Sequence, residues 1–267
     1  MDKIVITGAA SGLGAALAKQ YAANGWAVCI ADIQAQEGRK LAEQLASDYD
    51  QDCFFHPLDV TSDEQWVELQ NTIASRWQRL DCIINNAGVA SSGGIDDQPM
   101  KDFQWTLEVN TMGVAKGCHY FTPILKKTGG HIVNVASMAG LIHMPTMSAY
   151  NASKAAVVAL SETLSSELDS YGIRVSVVCP AFFQTNLTKT MRSSNSLGTQ
   201  FASKAMEASN ITADDIAAQV YKQSLAGKFL ILTHPRETNI WRIKRYLPFL
   251  YMRKMKEVGK SIKTRLS

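Results

Sequence analysis

The stretch SAYNASKAAVVALSETLSSEL, residues 148–168, holds two side chains able to move a proton, the phenol of Tyr150 and the ammonium of Lys154. Its periodicity is helical, and residues four apart on a helix share a face, so the two polar tips can meet at one point. An ammonium beside a phenol favours the phenolate and lowers a pKa that starts near ~10, which brings tyrosine closer to acid/base work near neutrality. A surface helix with an incidental pair has the same local pattern. The elements around the pair decide between the two.

Seven apolar, β-rich runs, KIVITG, AVCIAD, CFFHPLDV, DCIINNAG, GHIVNVAS, IRVSVVCP and KFLILT, alternate with segments of period near 3.6 such as SGLGAALAKQYAANG and SDEQWVELQNTIASRW. Buried strands separated by helices predict an α/β fold, a Rossmann-like doubly wound sheet of seven parallel strands. The 267 residues and 46% apolar content suffice for a single domain over residues 1–235. Residues 186–210, rich in Ser, Lys, Met and Asn, have no assigned element, and a connection of that length is usually functional.

TGAASGLG, residues 7–14, follows the first strand and opens the first helix, the context in which glycines cradle a dinucleotide. Gly8 allows the tight turn, Gly12 lets the backbone approach a pyrophosphate, and Gly14 permits close helix packing, with Ser11 and Leu13 in the same loop. The helix N-terminus adds N–H donors and the positive end of its dipole. Asp32 closes the second strand, where a carboxylate accepts hydrogen bonds from ribose hydroxyls and repels a 2′-phosphate. That favours NAD over NADP, although Arg39 stands close enough in sequence to reach back.

These residues are followed, in order, by Asp59-Val60, NNAG at 85–88, Asn110, Ser137 and YNASK at 150–154. On that ordered set the chain resembles the short-chain dehydrogenases/reductases from Met1 to about Thr233. The resemblance implies that Asp59 and Val60 place the adenine and that Asn86, Ala87 and Gly88 line the cofactor. It makes Tyr150 the acid/base, Lys154 its pKa partner and a ribose ligand, and Ser137 the hydroxyl that holds the substrate oxygen. Asn110 would anchor a water through which Lys154 exchanges protons with solvent. PAFFQT is similar to the family's Pro-Gly-x-x-x-Thr stretch, putting Pro180 in the cofactor wall, Thr185 near the nicotinamide carboxamide, and Phe182 and Phe183 beside its ring. Ala181 stands where that stretch has glycine, which leaves the path of the loop open. A homodimer or homotetramer is expected on the same ground.

Hydride transfer needs a nicotinamide, an oxygen held near it and a group that exchanges the hydroxyl proton. Ser137 ends the fifth strand at the sheet edge where ligands bind, and Tyr150 begins the next helix. The expected function is an NAD(P)-dependent oxidoreductase interconverting a secondary alcohol and a ketone. Lys154 and an oxidised nicotinamide would together stabilise tyrosinate. Two alternatives are an NADPH-dependent reductase of a fatty or acyl-linked carbonyl and a dinucleotide-binding sensor without catalysis. Met144, Met147, Phe182, Phe183, Met191 and Phe201 offer an apolar lining suited to a hydrophobic substrate, with Met144 and Phe182 as its contacts beside Ser137 and Tyr150.

His56, His119, His131, His143 and His234 form no close pair on a helical face, so no metal is expected. His143 lies in the loop between Ser137 and Tyr150, where both a substrate contact and a solvated ring fit. Cys29, Cys53, Cys82, Cys118 and Cys179 lack metal spacing and mostly fall in apolar runs, as reduced core residues of a cytoplasmic protein do. The N-terminus enters a strand pattern directly, without a signal-peptide layout. Net charge is +3, but residues 236–267 hold ten Lys/Arg against two acids, giving this basic amphipathic tail +8 and the remainder −5. Aromatic and aliphatic residues interleave with those cations. The tail has three placements open to it: on anionic lipid, over a subunit surface or the substrate pocket, or in solvent. No nucleic-acid reader fold accompanies it.

Overall fold

The computed structural model describes residues 1–184, 191–194, 203, 204 and 206–266, with side chains as far as Ile262. Its frame alternates β1 (Lys3–Thr7), α1 (Gly12–Ala22), β2 (Ala27–Asp32), α2 (Ala35–Tyr49), β3 (Cys53–Pro57), α3 (Asp63–Trp77) and β4 (Cys82–Asn85). After a two-residue β5 (Ser91–Ser92) come α4 (Met100–Leu107), α5 (Gly113–Thr128), β6 (Gly130–Val135), α6 (Ser148–Glu167) and β7 (Ile173–Cys179). The chain closes with β8 (Arg192–Ser193), α7 (Ala213–Leu225), β9 (Leu230–Leu232), α8 (Pro235–Tyr246) and α9 (Pro248–Leu266).

All seven expected strands join one parallel sheet in the order β3-β2-β1-β4-β6-β7-β9. The order reverses between β1 and β4, and the crevice at their C-terminal ends is where such sheets bind ligands. Side chains alternate faces: Val5 enters the layer under α3, α5 and α6, while Ile4 and Ile6 enter the layer under α1 and α7. Each fully buried aliphatic side chain adds about 1.5–3 kcal/mol. Trp66, fully buried, keeps its Nε1 satisfied by donating to Val60 O at 3.0 Å.

The short strands β5 and β8 pair with each other in parallel, outside the main sheet. Two residues carry no periodicity, so this ladder has no sequence signature. It draws residues 191–194 against β5 and α4, with Arg192 bonded to Asp102 at 2.9 Å and stacked 3.8 Å above the Trp105 ring. Between α4 and α5 one π-helical turn, Glu108–Met112, carries Asn110. Such a widened turn re-aims a side chain and is common at functional sites.

The tail is helical and packs on the domain. Tyr251, 4% exposed, belongs to the main core cluster, and Ile240, Trp241 and Met255 lie against it. Ile243, Tyr246, Leu247, Phe249, Leu250 and Met252 remain exposed at the turn between α8 and α9 and beside it. Among the described residues no helix is long and apolar enough to cross a membrane.

Candidate active site

The glycine turn after β1 is built for close backbone approach. Gly8 has φ 63° and lies so near β4's exit that a Cβ would fall 2.7 Å from Ala87 Cα. A Cβ on Gly14 would fall 2.1 Å from Gly8 O, so the turn and the first turn of α1 fit together only without side chains. Gly12 has φ 55°, the left-handed region that glycine enters without penalty. Ser11 occupies the N-cap position with no cap hydrogen bond from its hydroxyl, and the first turn of α1, which includes Leu13, contains no acid. These N–H groups therefore face the crevice without a carboxylate competing for them.

Thr7 joins the two sides of the crevice. Its Oγ1 accepts from Asn86 N at 3.0 Å and Ala87 N at 3.1 Å, while Asn86 Nδ2 donates to Thr7 O at 2.9 Å and Gly8 O at 3.1 Å. Thr7 was legible only as the first letter of the glycine motif. Asp32, buried, accepts from Ala10 N at 2.8 Å through Oδ2 and from Gln34 N at 2.9 Å through Oδ1. It thus fixes the glycine turn. Arg39 is exposed and lies 5.2 Å over the Phe55 ring rather than reaching back to Asp32. Asp59 is exposed, its Oδ1 accepting from Thr61 N at 2.9 Å. The neighbouring Val60 is buried against Gly113, where a Cβ would fall 2.7 Å from Val60 Cγ2.

Ser137, Tyr150 and Lys154 meet where β6 ends. Ser137 follows β6 and caps a short 3₁₀ turn, its Oγ accepting from Ala139 N at 3.1 Å and donating to Pro180 O at 3.3 Å. Gly140 brings that turn against α6, since a Cβ there would fall 2.6 Å from Lys154 O. The Tyr150 side chain, 9% exposed, consequently lies beside that of Ser137. Burial raises the phenol above its ordinary value and the Ser137 hydroxyl opposes this. The expected lowering by Lys154 is not what the protein alone produces. Lys154 Nζ lies 6.0 Å from the Tyr150 ring centre and donates to Val135 O at 3.0 Å. The carbonyl at the end of β6 offers the ammonium a nearer partner. Burial also lowers Lys154, to about 8, with Cys179 opposing.

Asn110 is fully buried and its amide is engaged, Oδ1 accepting from Val89 N at 2.8 Å and Nδ2 donating to Val89 O at 2.9 Å and Ser153 Oγ at 3.0 Å. Gly88 separates it from Lys154, for a Cβ there would fall 3.1 Å from Asn110 Oδ1 and 3.4 Å from Lys154 Nζ. Asn110 so fixes the strand exit that lies beside the ammonium.

Pro180 accepts from Met138 N at 2.8 Å as well as from Ser137. Phe183 is buried in the α1/α7 core layer with Val135, Val178 and Ile216, while Phe182 is half-buried. His234, which the sequence marked for no role, straps this loop: Nδ1 accepts from Ala181 N at 3.2 Å, so Nε2 holds the proton and faces Phe182 O at 3.2 Å. That strap defines the path left open by Ala181. Thr185, Phe201 and most of the 186–210 connection lie outside the described residues. Met144, Met147 and Met191 are half-buried.

The fit to a dinucleotide rests on the glycine cradle and the acid-free helix start. Residues 2–196 match the family model described as short chain dehydrogenase. Trans-4-hydroxycyclohexanecarboxylate dehydrogenase of Sinomonas cyclohexanicum is 36% identical over 194 residues, covering 70% of this chain and 74% of that protein. A CLA biosynthesis dehydrogenase/reductase of Lactiplantibacillus plantarum is 32% identical over 255 residues, 88% of each. The crystal structure of a short chain dehydrogenase/reductase from Burkholderia phymatum in complex with NAD superposes with a TM-score of 0.88 at 30% identity, over 93% of this chain and 94% of that one. With Ser137, Tyr150 and Lys154 gathered at the switch-point crevice and these likenesses spanning it, the chain belongs to the short-chain dehydrogenase/reductase family of oxidoreductases.

Proposed function

We propose that the protein interconverts a secondary alcohol and a ketone on a hydrophobic substrate, with NAD as the preferred dinucleotide. The observation that carries this reading is the convergence of Ser137, Tyr150 and Lys154 at the end of β6, where Gly140 lets the Ser137 turn pack on α6 and Lys154 Nζ donates to Val135 O beside the glycine-lined crevice. Thr7, Gly8, Ser11, Gly12 and Gly14 would hold the pyrophosphate end, Asp32 the ribose, and Lys154 the second ribose. When bound, the nicotinamide takes or gives the hydride. The chain's own groups handle the proton. Ser137 Oγ holds the substrate oxygen, and Tyr150 Oη takes the hydroxyl proton in oxidation or returns it in reduction. Lys154 supplies positive charge that favours the phenolate once burial is offset. Half-buried Met144 and Phe182 support an apolar substrate wall. The ring alcohol named for the Sinomonas relative and the NAD of the Burkholderia complex support the alcohol and cofactor readings. Asp32 supports NAD against NADP because a buried carboxylate opposes a 2′-phosphate.

The test is a panel of aliphatic, cyclic and steroid alcohols assayed with NAD and with NADP by appearance of the reduced nicotinamide. Tyr150→Phe deletes the titrating oxygen and little volume, so turnover should fall by about 10³ or more, within or beyond the usual range for a lost acid/base, while dinucleotide affinity stays within about twofold. Substantial activity in the purified variant would remove Tyr150 from the reaction.

A further inference from the structure

Residues 141–147 join the turn of Ser137 to the helix of Tyr150, so their path limits what reaches the two hydroxyls. Their backbone is held from outside the sheet by the last two helices. His143 N donates to Tyr251 Oη at 2.7 Å, and Tyr251 Oη donates to His143 O at 3.2 Å. Lys244 Nζ donates to Leu141 O at 2.6 Å and lies 3.2 Å from His143 Nδ1. Both polar atoms of one peptide residue are thereby fixed by a single phenol. Beyond that point, Asn151 Nδ2 donates to Met144 O at 2.8 Å and Gly93 N to Thr146 O at 2.8 Å. Thr146 has φ 64°, which a β-branched residue adopts only where its surroundings impose it. The loop is therefore shaped by its attachments and not by local preference.

Tyr251 is notable on its helix. Its neighbours Leu250, Met252, Arg253 and Lys254 are exposed, whereas Tyr251 is 4% exposed and its oxygen is committed to the loop. We propose that Tyr251 is a positioning residue for the substrate loop, with Lys244 as its second attachment, so that the α8–α9 pair sets the width of the crevice over Ser137 and Tyr150. This rests on the alcohol–ketone reading of that site. A loop clipped at Leu141 and His143 presents Met144 at a defined depth. An unclipped loop presents it at many, and an apolar substrate then loses a preformed wall.

Tyr251→Phe keeps the ring in the core and removes only the oxygen. Hydrogen–deuterium exchange of the peptide spanning 141–147 should accelerate by about tenfold on loss of the two bonds, with exchange in β1 and β6 and the thermal midpoint little changed. With cyclohexanol as the probe, KM should rise by about tenfold while kcat and the KM for NAD stay within about twofold, the signature of lost substrate positioning. Lys244→Met should shift both readouts the same way by less, and Lys244→Arg should restore them.

The proposal is overturned if Tyr251→Phe leaves loop exchange and the cyclohexanol KM unchanged. It is equally overturned if kcat and the KM for NAD deteriorate together with global stability, since Tyr251 would then act as a general structural residue. Should the wild type oxidise no alcohol, the reaction reading fails by itself, and the exchange of residues 141–147 decides whether Tyr251 holds the loop.

Discussion

Tyr150 and Lys154 share a helix face, yet each answers to a group on another element: the Ser137 hydroxyl opposes the effect of burial on the phenol, and Val135 O accepts from the ammonium. Burial acts on the two in opposite senses, raising Tyr150 and lowering Lys154 to about 8, because in both cases it disfavours the charged form. The ammonium is consequently present at neutral pH at a cost to folding. For a base with a depressed folded value, stability is greatest above the unfolded pKa and falls as pH drops through the folded one. The shift from 10.5 to about 8 corresponds to roughly 3 kcal/mol withheld at pH 7. Lys154→Met removes that cost and also the bond to Val135 O, worth about 1 kcal/mol. It should therefore raise the thermal midpoint at pH 7 by several degrees while abolishing turnover and weakening dinucleotide binding. The stabilisation should shrink as pH rises from 8 to 10. Calorimetry across that range checks it, and a lowered midpoint at pH 7 would show that the buried ammonium stabilises the fold.

At the scale of elements, the glycine turn and the end of β2 act as one unit. The position of Asp32 at the end of the second strand predicts a ribose ligand, whereas its bond to Ala10 N joins the end of β2 to the glycine turn, which only the folded sheet brings together. Asp32→Ala should therefore do two things. It should lower the ratio of kcat/KM for NAD over NADP, by removing the carboxylate that opposes a 2′-phosphate. It should also weaken binding of both dinucleotides, because Ala10 N loses its acceptor and the turn loosens. A changed ratio with undiminished NAD affinity would assign Asp32 to the ribose alone. The tail shows the same contrast between pattern and placement. Its charge and interleaved aromatics left lipid, a subunit or pocket cover, and solvent open, and Tyr251 and Lys244 tie it to the loop of residues 141–147.

The acid response of the whole molecule has a defined source in its buried histidines. His131 lies on β6, its Nε2 bonded to Ser176 Oγ of β7 at 2.8 Å, and Ser176 in turn donates to Lys228 O at 2.7 Å. Burial, assisted by Arg174, depresses His131 from 6.5 to about 3. A neutral histidine of this kind contributes stability in full above the unfolded value, and loses it progressively as pH falls from about 6.5 toward 3. The full difference is about 5 kcal/mol, and roughly half is lost by pH 4.5. His131→Gln, which can still donate to Ser176 but does not titrate, should flatten the fall in urea midpoint between pH 7 and pH 4. An equally steep fall in that variant would place the acid sensitivity elsewhere, for example at Asp52 beside Arg76.

The sequence by itself determined the seven strands, their alternation with helices, the glycine cradle and the Tyr150–Lys154 face. Each of these is set by local spacing: period two or 3.6, a residue four positions on, or a glycine free to enter positive φ. Tertiary structure alone decided which carbonyl the Lys154 ammonium takes, the direction in which burial moves Tyr150, the strap of His234 on Ala181 and Phe182, and the clip of Tyr251 on His143 across 108 residues. These depend on burial and on partners brought together by the sheet, and no short-range pattern encodes either one.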